Sequence, residues 1–269
     1  MFREKEGYAF DMDGTITEPG QVMDLEMADA LHGLIERGHL VAIISGGGLE
    51  QVLRQCEPFL DQVRLSAMAD RVMLFPTGGA RGYVFDRNFW NNWRKIYEYG
   101  FGSGEALRVL LALRDVMEET GYFTIRRKFL ALFGYSDLPA SWGRIVSDRG
   151  SLITFAALGE DSPSELRKAW DPNCGKRQGT AILINMRLDG IAVARIGGAS
   201  SVDITPPGID KGLAIREWQR LTRLDTHTIR FTGDALHPGG NDYPVVMTRV
   251  RWHLVSSLEE TVALIRFWS

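Results

Sequence analysis

Apolar and polar positions follow two kinds of pattern in the first third of the chain. Short continuous apolar runs at 7–11 and 39–47 are typical of strands that are covered on both faces. Between and after them, residues 24–38 and 49–60 carry apolar side chains at helical spacing. A strand at "RVMLFPTGG" and a hairpin arm at "RGYVFD" follow. This alternation predicts an α/β protein with a parallel sheet and helices on both faces.

The pattern changes between residues 86 and 198, which begin with the aromatic-rich segment "NFWNNWRKIYEYGFG". Helices are predicted at 103–121 and from 161 onward, and strands at "SLITFAAL", "GTAILINM" and "IAVARIG". After this block the first pattern returns, with a helix at "DKGLAIREWQRL", strands at "TIRFTGD" and "WHLVS", and a helix at "SLEETVALIRFW". We therefore expect a core of residues 1–85 plus 199–269 that is interrupted by an inserted α/β domain, 86–198.

Composition narrows the classes of protein. The net charge of −3 gives no basic excess, so no nucleic-acid partner is expected. Cys56 and Cys174 match no metal or redox spacing and indicate reduced thiols. The charged N-terminus lacks a signal-peptide pattern and no apolar run could span a membrane, so we expect a cytoplasmic protein without a membrane partner. If the side chains of the aromatic-rich segment are exposed, they could form the interface of a homodimer. They could equally line the core of the inserted domain.

Polar residues follow the ends of several predicted strands. They are Asp11 and Asp13 after the first strand, Ser45, Gly46 and Gly47 after the second, and Asp234, Asn241 and Asp242 after a late one; Lys211 opens a late helix. Each has an ordinary alternative, since Asp-Gly is a common turn dipeptide and a helix-start lysine can simply be exposed. Because ligands of parallel sheets bind beyond the carboxyl ends of the strands, we expect these side chains to converge.

Such a set has a chemical logic. Several carboxylates in one place need a cation to stay ionised, and oxygen ligands without histidine or cysteine suit Mg²⁺. A metal beside a lysine, a serine and glycine amides makes a phosphate site. One carboxylate could attack phosphorus and a second could transfer protons.

Four segments of the sequence are similar to the motifs of a known superfamily. "FDMDGTIT", "IISGG", "IDKG" and "GDALHPGGND", in that order, resemble the motifs of the haloacid dehalogenase-like phosphotransferase superfamily. The resemblance implies a Rossmann-like core with an inserted α/β cap. It also implies that Asp11 is the nucleophile and a Mg²⁺ ligand, and that Asp13 is the general acid/base and a ligand through its carbonyl. The other implied roles are phosphate binding by Ser45 with Gly46 and Gly47, charge compensation by Lys211, and metal binding by Asp234 with Asn241 and Asp242.

Further segments resemble the eukaryotic-type phosphomannomutase branch, namely "FPTGGARGYVFD", "SVDITPPGIDKG" and the Pro-Gly-Gly of the fourth motif. This implies that Ser201 and Asp203 contact a sugar. Arg144 and Arg149 could hold a remote phosphate or could be solvated loop arginines. Glu160 stands where the resemblance implies a further arginine. We therefore expect a Mg²⁺-dependent phosphatase of a small phosphorylated metabolite such as a sugar phosphate. The alternatives are a phosphomannomutase and, more remotely, a non-catalytic phosphosugar-binding protein.

Overall fold

The computed structural model describes residues 5–268. The chain divides into two compact units. The core unit contains the residues up to Tyr99 and those from Ile209 onward, and the inserted unit is Gly100–Gly208.

Strands and helices follow one another along the whole described chain. The strands are β1 (Gly7–Asp11), β2 (Leu40–Ile44), β3 (Val72–Phe75), β4 (Arg81–Phe85), β5 (Trp93–Glu98), β6 (Val146–Asp148), β7 (Ile153–Ala156), β8 (Val193–Ile196), β9 (Ser201–Thr205), β10 (Ile229–Gly233) and β11 (Arg251–Leu254). The α-helices are α1 (Leu25–Glu36), α2 (Leu49–Gln55), α3 (Glu57–Leu65), α4 (Glu105–Glu119), α5 (Tyr122–Leu132), α6 (Ser164–Trp170), α7 (Gly175–Arg187), α8 (Lys211–Thr222), α9 (Tyr243–Val246) and α10 (Leu258–Trp268).

The core unit is built on a seven-stranded sheet in the order β11-β10-β1-β2-β3-β4-β5. The strands from β11 to β3 are parallel, and β4 and β5 add an antiparallel edge. All residues of β1 and β2 are buried, which is why both strands read as unbroken apolar runs. Helix α1 buries the stripe that its spacing predicts, including Leu31 and Leu34. The predicted α/β fold with a central parallel sheet is confirmed.

The sequence placed the domain boundaries after residue 85 and before residue 199. In the structure the aromatic-rich segment returns to the core sheet, because β5 pairs with β4 from Trp93 to Glu98. On the other side, β9 pairs with β7 and β8 inside the inserted unit. The units therefore meet further along the chain, at Tyr99–Gly100 and Gly208–Ile209.

The inserted unit has a four-stranded antiparallel sheet in the order β6-β7-β9-β8. Side chains alternate across it. Phe155 and Val202 join an apolar core with residues of α4 and α7, whereas Thr154 and Asp203 alternate with them and are hydrogen-bonded to each other. The strand predicted at 179–186 is wrong, because these residues lie inside α7.

Among residues 5–268, no helix combines the length and the apolar character that crossing a bilayer requires.

Candidate active site

A buried cluster of opposite charges lies at the carboxyl edge of the core sheet. Strand β1 lies between β2 and β10, so Asp11 at its end is next to the residues that follow those strands. The Lys211 ammonium donates to Asp11 Oδ1 at 2.5 Å and to Asp242 Oδ1 at 2.6 Å. All three side chains are almost completely buried, with exposed fractions of 6% or less. Asp234 completes the cluster, since carboxylate oxygens of Asp11, Asp234 and Asp242 lie within 4.8 Å of one another.

Local structure fixes these groups. The Asp210 carboxylate accepts from the backbone N–H of Leu213 and caps α8, which makes Lys211 the first helical residue. A cation is unfavourable at a helix N-terminus unless negative charge compensates it. Asp242 Oδ2 also accepts from the backbone N–H of Ala235 at 3.0 Å. The carboxylates of Asp11 and Asp242 therefore hold the ammonium in place.

The electrostatics of the cluster are unbalanced. Burial raises the pKa of Asp11 well above its ordinary value; Lys211 opposes the shift, and Asp242 and Asp234 add to it. Burial and the neighbouring Asp242 likewise raise the pKa of Asp234. Burial lowers the pKa of Lys211, but Asp11 and Asp242 outweigh it, so the net shift is upward and the group stays charged. Three carboxylates share one ammonium, which leaves an excess of negative charge.

The donor set fits a hard divalent cation. Carboxylate oxygens without sulfur or imidazole are the ligands that Mg²⁺ prefers. Asn241 offers a further oxygen, because its Oδ1 is buried and has no hydrogen-bond donor within the described part of the chain. Such an oxygen is costly to leave unpaired. Asp11, Asp234, Asp242 and Asn241 are therefore the groups that could hold the metal.

A glycine-rich turn, Ser45–Gly48, follows β2. The Gly47 N–H donates to Ser45 Oγ at 3.0 Å. Two backbone hydrogen bonds stabilise this turn. The N–H groups of Thr77 and Gly78 donate to the carbonyls of Gly47 and Ser45, respectively, at 2.8 Å each. Thr77 adopts a positive φ of 54°, which is unusual for a β-branched residue. Thr77, which is hydrogen-bonded to the predicted phosphate-binding loop, is therefore held in a strained backbone conformation.

Two glycines near the cluster have no space for a side chain. A Cβ on Gly14 would lie 2.6 Å from Asp234 Oδ2, and Gly14 also has a positive φ of 87°. A Cβ on Gly240 would overlap the carbonyl oxygen of Ala235. These close approaches explain the glycines of "DMDGT" and "PGGND" in physical terms.

Asp13 lies in the turn after β1 and is held by one carboxylate oxygen. Its Oδ1 accepts from the Gly20 N–H at 3.1 Å and from Gln55 Nε2 at 2.9 Å. Sequence reasoning singled out Asp13 but missed Gln55, which looks like an ordinary polar residue of α2. Its spacing of four residues from Gln51 on one helix face was the available signal.

In the inserted unit, Ser201 and Asp203 project from the same face of β9, as residues two apart in a strand must. Thr154 Oγ1 donates to Asp203 Oδ1 at 2.9 Å, and a Cβ on Gly197 would meet both Ser201 Oγ and Asp203 Oδ2. Arg195 is opposite Asp203 in the β8–β9 register and was not singled out from the sequence. The result is a hydroxyl- and carboxylate-bearing face suited to hydrogen bonding.

The two predicted phosphate-holding arginines differ in their surroundings. Arg144 is exposed. Arg149 is partly buried and pairs with Glu160, with Nη2 2.6 Å from Oε1. The position where the resemblance implies an arginine therefore carries a carboxylate that compensates a neighbouring cation.

Several solved structures share the fold of this chain. An IMP-bound, N-terminally truncated IMP-nucleotidase of Plasmodium falciparum matches with a TM-score of 0.69 at 13% identity, covering 97% of this chain and 67% of that chain. A haloacid dehalogenase-like hydrolase from Bacteroides thetaiotaomicron matches with a TM-score of 0.61 at 14% identity, covering 99% and 100%. These identities establish the fold alone, and that fold is the haloacid dehalogenase-like one.

Sequence comparison identifies the family. The model of the family described as "Eukaryotic phosphomannomutase" matches residues 74–267. A probable phosphomannomutase of Caenorhabditis elegans is 29% identical over 261 residues, covering 94% of this chain and 91% of the relative. The phosphomannomutase of Schizosaccharomyces pombe is 25% identical over 260 residues, covering 94% and 90%. The chain belongs to the eukaryotic phosphomannomutase family and is an enzyme of the phosphotransferase or phosphatase type. The superfamily resemblance is confirmed, and the non-catalytic alternative is set aside.

Proposed function

We propose that the protein is a Mg²⁺-dependent phosphohydrolase of a hexose phosphate and works through an aspartyl phosphate on Asp11. The observation that carries this proposal is the buried cluster of Lys211 with Asp11 and Asp242. A carboxylate at a strand end, paired with a fixed ammonium and set beside further carboxylates, is suited to attack phosphorus once a cation offsets their charge.

In the first step, an Asp11 oxygen forms a bond to phosphorus, and the bond from phosphorus to the sugar oxygen breaks. The sugar oxygen keeps the electron pair and takes a proton from Asp13. In the second step, Asp13 removes a proton from water, whose oxygen bonds to phosphorus. The bond from phosphorus to Asp11 then breaks, and inorganic phosphate leaves.

The surrounding groups bind and compensate charge. Lys211 offsets the charge of Asp11 and of the phosphoryl group, and the loop Ser45–Gly48 donates a hydroxyl and backbone N–H groups to phosphoryl oxygens. When bound by Asp11, Asp234, Asp242 and Asn241, with the Asp13 carbonyl as a further ligand, Mg²⁺ would supply positive charge next to the transferring group.

We propose that the inserted unit selects the substrate. Its polar sheet face, with Ser201 and Asp203, offers the hydroxyl and carboxylate groups that sugar hydroxyls need. Because the relatives are named phosphomannomutases, mannose phosphates are the substrates that we would test first.

The acceptor of the phosphoryl group separates a phosphatase from a mutase. A mutase must hold a sugar bisphosphate and therefore needs cations for a second phosphate. In this chain the Arg149 guanidinium is paired with Glu160 at 2.6 Å, and that carboxylate would repel a phosphate. This pair supports water as the acceptor. The family match through the inserted unit favours the second candidate, phosphomannomutase.

The experiment measures both outcomes on one sample. Purified protein with Mg²⁺ is given mannose and glucose 1- and 6-phosphates, with and without a hexose 1,6-bisphosphate activator, and phosphate release and isomer exchange are followed. We expect phosphate release without the activator. Efficient interconversion of the 1- and 6-phosphates with almost no phosphate release would establish the mutase instead.

A matched pair of variants tests the role of Glu160. Glu160→Gln should tighten hexose 1,6-bisphosphate binding by about tenfold, because the charge opposing a phosphate near Arg149 is removed. Glu119→Gln is the control, since Glu119 pairs with Arg187 in the same unit. Equal affinities for all three proteins would rule out this basis for choosing the acceptor.

A further inference from the structure

Gln55 connects the proposed acid/base to the interior of the core unit. Its side chain is fully buried. Nε2 donates to Asp13 Oδ1 at 2.9 Å and to Thr17 Oγ1 at 3.1 Å, while Oε1 accepts from Gln51 Nε2 at 2.7 Å. Both amide hydrogens and the carbonyl oxygen are therefore used.

The orientation of this amide is determined by its partners. An ionised Asp13 carboxylate can only accept, so the Gln55 NH₂ group must face it. Thr17 Oγ1 donates to the Met12 carbonyl at 3.2 Å and is left to accept the second N–H. The Gln55 carbonyl must then face Gln51. Rotating the amide would bring two acceptors together, which a buried site strongly disfavours.

The contacts of Asp13 are one-sided. Oδ1 accepts from Gln55 and from the Gly20 N–H, whereas Oδ2 has no hydrogen-bond donor among residues 5–268. One oxygen is thus anchored and the other remains available to exchange a proton with a substrate oxygen.

We propose that Gln55 is a positioning residue that fixes the Asp13 carboxylate so that Oδ2 performs the proton transfers. This inference rests on the proposed function, because it assigns Asp13 the acid/base role. Gln51 steadies Gln55 and also reaches the phosphate loop, since a Cβ on Gly47 would lie 2.5 Å from Gln51 Oε1. Gln51 and Gln55 therefore connect the loop Ser45–Gly48 to the proposed acid/base, Asp13.

The test uses the fact that proton donation matters only for a poor leaving group. A hexose 6-phosphate releases an alkoxide, which needs a proton, whereas p-nitrophenyl phosphate releases a stable phenolate, which does not. With Mg²⁺ present, rapid-quench single-turnover experiments measure the rate of phosphoenzyme formation from each substrate. Gln55→Met removes both N–H donors and keeps an unbranched side chain of similar length.

Gln62→Met is the matched control, because Gln62 Nε2 donates to Asp29 Oδ1 at 2.6 Å in an exposed pair on helices α3 and α1. Gln55→Glu is a second variant of nearly the same shape, and thermal denaturation shows which variants are folded.

We expect Gln55→Met to slow phosphoenzyme formation from the hexose 6-phosphate by about 100-fold and from p-nitrophenyl phosphate by less than about threefold, as misplacement of a catalytic group implies. Gln62→Met should match wild type with both. Equal slowing with both substrates by the folded Gln55 variants, or no slowing, would overturn the positioning role while leaving the proposed function intact. A wild-type enzyme that forms no phosphoenzyme from either substrate would overturn both.

Discussion

Replacing Lys211 by methionine should destabilise the metal-free protein far more than a surface lysine would. The Lys211 side chain is 3% exposed, and its ammonium lies 2.5 and 2.6 Å from oxygens of two buried carboxylates. At an effective dielectric constant of about 20, each contact represents about 6 kcal/mol of Coulomb attraction before desolvation is subtracted. Breaking a buried pair from one side typically costs about 3–5 kcal/mol, and we expect a loss of that size here.

The assay is urea unfolding at pH 8 in chelator and again in excess Mg²⁺. Methionine keeps most of the length of lysine, so the lost charge dominates the change. A bound cation would replace that charge, and Mg²⁺ should therefore recover much of the lost stability in Lys211→Met. Lys128→Met, at an exposed position of α5, is the control. A Lys211→Met protein as stable as wild type in chelator, with no differential effect of Mg²⁺, would refute the electrostatic account of the cluster.

Three other predictions follow from particular contacts. Asp234→Ala should raise the Mg²⁺ concentration needed for half-maximal activity at least about tenfold, as loss of a metal ligand implies; an unchanged titration curve would remove Asp234 from the metal site. Gly240→Ala should cost about 1–3 kcal/mol of unfolding free energy and weaken Mg²⁺ binding, because the new Cβ overlaps the Ala235 carbonyl; calorimetry measures both. Burial raises the pKa of Asp171, but hydrogen bonds from the Arg177 and Lys176 N–H groups and from the Arg177 side chain outweigh it, so the pKa is lowered. A lowered pKa means that the carboxylate stabilises the fold above the ordinary Asp pKa and loses this effect as pH falls through the folded-state pKa. Asp171→Asn should therefore cost about 1–3 kcal/mol at pH 7 and progressively less in acid; a pH-independent difference would contradict this.

The clustering of the core carboxylates could be expected from the sequence, because Asp11 and Asp234 lie at strand ends. The carboxyl ends of parallel strands lie at one edge of the sheet. The order of the predicted elements was therefore enough to predict that Asp11, Ser45 and Asp234 lie at the same edge. The pairing of Lys211 with both Asp11 and Asp242 depends on side-chain positions, and no sequence spacing contains it.

The inserted unit was harder to predict. The run at 179–186 contains several β-branched residues, which favour a strand by composition, but Ala181, Ile184 and Leu188 are buried at helical intervals against the sheet. Tertiary packing overrode local propensity there. The aromatic segment was assigned to the insertion because its change of composition was visible, whereas the pairing of β5 with β4 was not.

Gln55 shows a different limit. The four-residue spacing from Gln51 places both glutamines on one helix face, but it does not reveal the three hydrogen bonds of Gln55, which reach residues as far as 42 positions away. Such positioning residues emerge only when the side chains are placed in three dimensions.

Detection of a phosphoenzyme at Asp11 tests the central claim most directly. Wild type and Asp11→Asn are mixed with mannose 6-phosphate and Mg²⁺, quenched in acid within milliseconds, and digested for mass spectrometry. We predict one acid-stable, alkali-labile phosphate on the peptide that contains Asp11, and none in Asp11→Asn, which keeps the shape of the side chain and loses the attacking oxygen. Turnover of the substrate by Asp11→Asn at the wild-type rate, or phosphate on another residue, would contradict the account.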